Sequence, residues 1–305
     1  MKKEAAPAHP TRAASTLSTL GTLGTFGTEV RSLAADMRPV VWSVAGSDPG
    51  AGAGLQADLK ALQAFGVHGC TAVAAITAQN SVSVTHVEPV SAALLDAQLA
   101  ALAQDLPPQA IKTGLLGSVD NLRVVCDWVD RLRGRGHALA LVVDPVLGAT
   151  TGASFADDAL VQTYMQELLP RATLATPNRA EARRLGLHIG QTSGTKNQPP
   201  LAITGGDAAP ATGLASDWLQ CAQTSGWLSL PRVNTHHHHG TGCTFASTAA
   251  AALACGYCVA DAVVLAKMAT THALCHAYAA VISAITQSPD PAAACRALVR
   301  GFGGQ

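Results

Sequence analysis

The chain has few aromatic residues and little charge: 4% of its 305 residues are aromatic and 13% are charged. Without many large rings, a core has to be closed by small side chains in near contact, and Ala-rich segments supply them. Lys plus Arg balances Asp plus Glu, 20 against 20, so there is no electrostatic footprint for nucleic acid or an anionic membrane surface. No apolar run reaches the roughly 18 residues of a membrane span. Residues 1–20 lack the apolar stretch of roughly 7–15 residues that a secretory leader needs, so none is expected. Eight cysteines (70, 126, 221, 243, 255, 258, 275 and 295) are scattered along the chain, mostly inside apolar segments such as Gly69-Cys70-Thr71-Ala72-Val73. That pattern argues against a disulfide framework and for buried free thiols in a reducing, cytoplasmic setting.

What is present falls into two parts. Residues 1–37 carry a degenerate Thr/Leu/Gly repeat, Thr16 to Thr28, with no helical period. They read as a disordered low-complexity tail, an organelle transit peptide being the lesser alternative. Residues 38–305 read as a single domain. There, short apolar runs ending in glycine or a polar residue alternate with helical patterns. Val40–Ala45, Cys70–Thr77, Ile111–Leu116, Leu139–Asp144, Ala172–Thr176 and Leu201–Gly206 are expected strands. Helices are expected with Leu55, Leu59 and Leu62 on one face, then Leu95, Leu99, Leu102 and Leu106, then Leu122, Val125, Val129 and Leu132. A further helix covers Asp157–Leu169, a hairpin joins the Trp218 and Trp227 regions, and two Ala-rich helices follow. Such alternation specifies a mostly parallel sheet with helices on both faces. Ligands then sit beyond the carboxyl ends of the strands, where Gly46, Thr77, Gly114, Asp144, Asn178 and Gly205 fall.

Two glycine-rich loops carry the chemistry. Gly240-Thr241-Gly242-Cys243 runs directly into an Ala-rich helix. Unpaired N–H groups and the macrodipole make such a helix start an anion site, and glycines let a phosphate come close to the backbone. The second loop, Ala45-Gly-Ser-Asp-Pro-Gly-Ala-Gly-Ala-Gly54, follows the first strand.

These loops belong to an ordered set of motifs: A-G-S-D-P-G-A-G-A-G-L-Q-A-D-L-K (45–60), A-Q-N (78–80), K-T-G-L-L (112–116), V-D-P-V (143–146), T-P-N-R-A-E-A (176–182) and V-N-T-x4-G-T-G-C-T (233–244). Over about residues 39 to 285 the chain resembles the ribokinase-like superfamily, and more narrowly its hydroxymethylpyrimidine/phosphomethylpyrimidine kinases of thiamine biosynthesis. The resemblance implies a ribokinase-like three-layer α/β sandwich. It also implies two ATP-dependent phosphorylations, of 4-amino-5-hydroxymethyl-2-methylpyrimidine and then of its monophosphate. Pyridoxal or pyridoxine kinase is the neighbouring activity, and a catalytically weak ligand-binding member is the alternative outside enzymology. A homodimer is compatible with the superfamily.

The resemblance places Gly240, Thr241 and Gly242 around the transferred phosphoryl group and makes Cys243 the base, at a helix start that would lower a thiol pKa. Gly46, Asp58, Gln79 and Leu115 are the expected substrate contacts. Asn178, Thr204 and Gly206 fall on the nucleotide side, and Asp144 with Glu181 would hold Mg²⁺. Two departures stand out. Thr204 occupies a place where the family usually has Lys, and the 182–200 segment is short, leaving one sheet face thinly covered. Cys255-x-x-Cys258, the His272/His276 pair and the His236–His239 run carry no complete metal pattern; His239 is read as a loop-positioning residue.

Overall fold

The computed structural model describes residues 38–80, 83–148, 155–190, 198–205, 213–222, 224–235 and 239–275. The tail expectation, the His236–His238 run, Gly206, His276 and Cys295 lie outside these residues. The strands are β1 (Val40–Ser47), β2 (His68–Gln79), β3 (Val84–Pro89), β4 (Ala110–Thr113), β5 (Ala140–Val143), β6 (Leu174–Ala175), β7 (Leu201–Ile203), β8 (Leu214–Gln220) and β9 (Ser225–Pro231). They form one nine-stranded sheet in the order β3-β2-β1-β4-β5-β6-β7-β8-β9. From β2 to β7 the pairing is parallel, while β3 on one edge and β8–β9 on the other pair antiparallel. The mostly parallel α/β sandwich is therefore as expected, with β3 as an addition. Its exposed, alternating side chains gave no apolar run to read.

Helices cover both faces. On one side α1 (Gly54–Phe65), α6 (Thr241–Ala254) and α7 (Val259–Cys275) enclose a core built from alanine. Ala246, Ala249, Ala250, Ala251 and Ala252 of α6 are wholly buried, as are Ala262 and Ala266 of α7. The shortage of rings is met here by close helix approach. On the other side lie α2 (Ala92–Asp105), α3 (Val119–Gly134), α4 (Asp158–Thr163) and the short α5 (Arg179–Arg184). After α4 the chain loosens into a π-turn, Tyr164–Leu168, and then tightens into a 3₁₀ turn, Leu169–Arg171, where one continuous helix was expected. Pro170 does not sustain an α-helix at this point, because it lacks the N–H that a further α-turn would use. The large rings on this face are spent on Trp42 and Trp128, packed edge to face at 6.4 Å, with the Trp42 indole N–H donating to the Leu106 carbonyl.

The expected stripe on α1 holds at Leu55 and Leu62 but not at Leu59. Leu59 is 39% exposed, while Ala57, Asp58 and Ala61 face inward beside Leu55 and Leu62. Thin cover over β7 is not observed either: Leu201 and Ile203 are buried in one core cluster with Leu185 and Leu187, which follow α5.

One buried side chain joins three segments. The amide of Asn121, at the start of α3, donates to the carbonyls of Ala74, Val90 and Leu116 at 3.1, 3.1 and 3.0 Å. Asn121→Ala would take the amide from the Val90 and Leu116 carbonyls and leave the Ala74 carbonyl with only the Val90 N–H at 3.0 Å. It should lower unfolding free energy by about 2–3 kcal/mol in a denaturant titration; a loss within error would show that water replaces the amide.

Candidate active site

Each parallel strand delivers its next residue to one rim. Asp48 follows β1, Gly114 follows β4, Asp144 follows β5, Thr176 follows β6 and Thr204 follows β7. All five line a cleft of about 920 Å³, large enough for a small molecule with a nucleotide beside it. The N-terminus of α6 opens into the same cleft, bringing Gly240, Thr241, Gly242 and Cys243. Of the expected site residues, Gly46, Gln79, Leu115, Asn178, Thr204, Asp144 and Glu181 line it as well.

The two glycine loops touch. Gly240 has φ 82°, a left-handed conformation, and a Cβ there would collide with the Gly52 carbonyl oxygen. Asp48 organises the contact. Its carboxylate accepts the N–H groups of Gly50, Gly52 and Ala53 at 2.8, 3.1 and 2.8 Å, and lies 3.1 Å from His239 Nε2. His239 thus positions the loop, as expected, and Asp48 is the partner that the sequence did not reveal. Burial alone would raise the Asp48 pKa; hydrogen bonds from His239, Gln79, Ala53 and Gly50 outweigh it and hold the carboxyl well below its usual range.

Asp58 is not at the cleft surface. It is fully buried beneath it, where both its oxygens lie 2.9 Å from Lys112 Nζ. Ser43 and Ser247 donate to it at 2.5 and 2.8 Å. The expectation that Asp58 meets the substrate is corrected: α1 turns it toward the sheet, against a cation standing in β4. Lys112 was legible as an oddity, a lysine inside the buried strand Ala110-Ile-Lys-Thr113, but its partner lies 54 residues away.

Asp144 is buried, 3.9 Å from Lys112 Nζ; burial raises its pKa, Lys112 pulls it back and Asp58 raises it further. A Cβ on Gly242 would stand 4.0 Å from Asp144 Oδ2, so this carboxylate borders the phosphate loop. Glu181 and Asn178 are tied together in a capping box: Asn178 Oδ1 accepts the N–H groups of Ala180 and Glu181, and Glu181 Oε2 accepts that of Asn178. Lys267 and Asp217 form an ion pair at 2.8 Å, and both line the cleft.

The thiol departs from expectation. Burial pushes Cys243 up to about 12; Lys112 and the Gly54 backbone work in the opposite direction, and Asp58 and Asp144 add to the rise. The helix start does not produce a standing thiolate, because two carboxylates and desolvation outweigh it. Of the eight cysteines, the seven described are free, and among the described residues no group of three metal-ligating side chains occurs. Nor is any described helix long and apolar enough to cross a membrane.

Residues 48–284 match the family model of phosphomethylpyrimidine kinase. The chain belongs to this family. A hydroxymethylpyrimidine/phosphomethylpyrimidine kinase of Synechococcus elongatus is 37% identical over 250 residues, covering 79% of this chain and 93% of the relative. The solved phosphomethylpyrimidine kinase of Clostridium difficile superposes with a TM-score of 0.63 at 28% identity, over 78% of this chain and 100% of that one. The pyridoxal kinase of Staphylococcus aureus, in complex with AMP-PCP and pyridoxal, gives 0.65 at 30% identity, over 78% and 88%.

Asp48 makes the loop arrangement sensitive to acid. A carboxyl whose folded pKa is depressed contributes stability above its unfolded pKa, near 3.9, and loses it as pH falls toward the folded value. Asp48→Asn should therefore lower Tm at pH 7, and the gap to wild type should narrow as the pH drops below about 4. A Tm difference that stays constant from pH 7 to pH 3 would show that the Asp48 charge does not hold the loops.

Proposed function

We propose that this chain is an ATP-dependent kinase that phosphorylates 4-amino-5-hydroxymethyl-2-methylpyrimidine and then its monophosphate, for thiamine biosynthesis. The observation that carries the reading is the contact of the two glycine loops in one cleft, with Gln79 on the substrate side and Asn178 and Thr204 on the other. Relatives that bear this activity in their names match nearly their full length.

The residues fit their parts. Phosphoryl transfer needs positioning and stabilisation of charge more than covalent chemistry. The first-turn N–H groups of α6, from Thr241 to Cys243, face the cleft as donors for the transferred group. Asp144 after β5 and Glu181 in the first turn of α5 offer two carboxylates to the cleft, and Mg²⁺ typically takes one or two with phosphate oxygens. Bound there, the ion would supply positive charge to the nucleotide phosphates. Gly46 packs against Leu115, where a Cβ would stand 3.1 Å from Leu115 Cδ2, giving a flat apolar wall for a ring. Lys267 also lines the cleft, its charge balanced by Asp217 at 2.8 Å.

Cys243 is placed as the base for the acceptor hydroxyl. With its thiol pushed up to about 12, the reactive thiolate is scarce at neutral pH and grows as pH rises. In wild type kcat/KM should keep climbing through pH 9 rather than level off near 7, since that parameter reports the free enzyme. Cys243→Ala should depress kcat by about 10²–10⁴ and flatten that slope. Near-wild-type turnover in the variant would end the assignment.

Substrate choice rests on Gln79. Its amide donates to Asp48, which turns the carbonyl oxygen into the acceptor it offers a ligand. The pyrimidine's amino group can donate to that oxygen, whereas the aldehyde of pyridoxal and its phenol in the ionised form are acceptors only and leave it without a matching donor. An unsatisfied buried acceptor costs roughly 1–3 kcal/mol, so ATP turnover should favour the aminopyrimidine over pyridoxal by about 5- to 150-fold. Gln79→Leu should remove that preference while leaving KM for ATP nearly unchanged. Equal turnover of both compounds by wild type would favour the pyridoxal reading, and none with either would leave a ligand-binding protein.

A further inference from the structure

Four elements converge on one buried ion pair. Lys112 comes from β4, Asp58 from α1, Ser43 from β1 and Ser247 from α6, and all four side chains are fully buried. The pair is oriented. Lys112 lines the cleft, whereas Asp58 stands behind it with both carboxylate oxygens bonded to the ammonium and both serine hydroxyls donating to the same carboxylate. A Cβ on Gly114 would lie 3.0 Å from Lys112 Nζ, so the rim glycine after β4 is what leaves room for the ammonium.

We infer that the Asp58–Lys112 pair is a fixed buried dipole whose positive end faces the phosphoryl-transfer site, and that Lys112 is a positioning residue for the negative charge that develops there. Lys112 acts through the groups around it: its ammonium is 3.9 Å from Asp144 Oδ2, beside the Gly242 backbone. Asp58 holds the ammonium in place, so no reorganisation is required when charge builds up. The electrostatic ordering agrees. On both Asp144 and Cys243 the pull of Lys112 exceeds the push of Asp58, which places the cation nearer the site. In a water-poor pocket, a preoriented charge of this kind acts more strongly than it would in solvent.

The inference rests on the kinase reading, and the experiment separates the two. Removing Lys112 alone would strand a buried carboxylate, so the informative variant is Asp58→Asn with Lys112→Met, which removes both charges at similar volume. Steady-state rates with the aminopyrimidine and ATP, together with thermal melting, are measured on wild type and variant. The expected result is a folded variant whose kcat falls by about 10- to 100-fold, less than the loss of a direct oxyanion donor, with both KM values held within about threefold. Asp58→Asn with Lys112→Gln, whose two neutral amides can hydrogen-bond to each other, is a second variant that strands no charge and should show the same loss in kcat. Wild-type kcat in either folded variant, or a loss confined to KM, would overturn the inference. An inactive wild type would instead overturn the kinase reading.

Discussion

A lysine in the middle of a parallel strand is intolerable without compensation, and the way this chain compensates Lys112 organises the site above it. The ammonium is fully buried and takes both oxygens of Asp58. A lone buried charge would cost several kcal/mol, so α1 is fixed in rotation about its axis by the requirement that Asp58 point at β4. Because α1 begins at Gly54, fixing its rotation also fixes the loop from Ser47 to Ala53 that shapes the substrate side. Ser247 on α6 closes the same network and seats the helix whose first turn is the phosphate loop. One ion pair thus sets the relation between both glycine loops.

The loops are then held by a second charge, nearer the surface. Asp48 converts an irregular, glycine-rich stretch into a defined turn by accepting three backbone N–H groups, and it reaches across to His239. The inner network fixes where the helices start; the outer one fixes how the loops between strand and helix are folded. Glycine is required where they meet, since a side chain on Gly240 would strike the Gly52 backbone.

Most of the fold could be read from the sequence because its signals are local. Apolar runs ended by glycine located the parallel strands, and the polar residues just after them became the rim of the cleft. What could not be read depended on distant partners or on small residues. The α1 stripe was assigned from its leucines; Leu55 and Leu62 are buried as assigned, but Leu59 is exposed and Ala57 and Ala61 complete the face. Asp58 was placed at the substrate by the resemblance, and its partner Lys112, 54 residues away on β4, is what turns it beneath the cleft. Local reasoning about Cys243 failed in a similar way. A helix start lowers a thiol pKa, but the opposing burial and the carboxylates of Asp58 and Asp144 come from other elements.

The same contrast bears on how one site could serve neighbouring substrates. On the proposed reading, the α6 loop, the buried pair, Asp144 and Glu181 serve the phosphoryl group, and none of them reads the ring of the acceptor. Ring identity is left to a few groups on the substrate side: the apolar wall of Leu115 and Gly46, and the amide of Gln79, whose orientation is set by Asp48. Solved relatives with comparable superposition include both a phosphomethylpyrimidine kinase and a pyridoxal kinase. The two activities need not differ in the machinery of transfer. A change in which polar atom meets the ring is worth roughly 1–3 kcal/mol, which is enough to shift preference by about one or two decades while leaving the sheet, the loops and the buried charges intact.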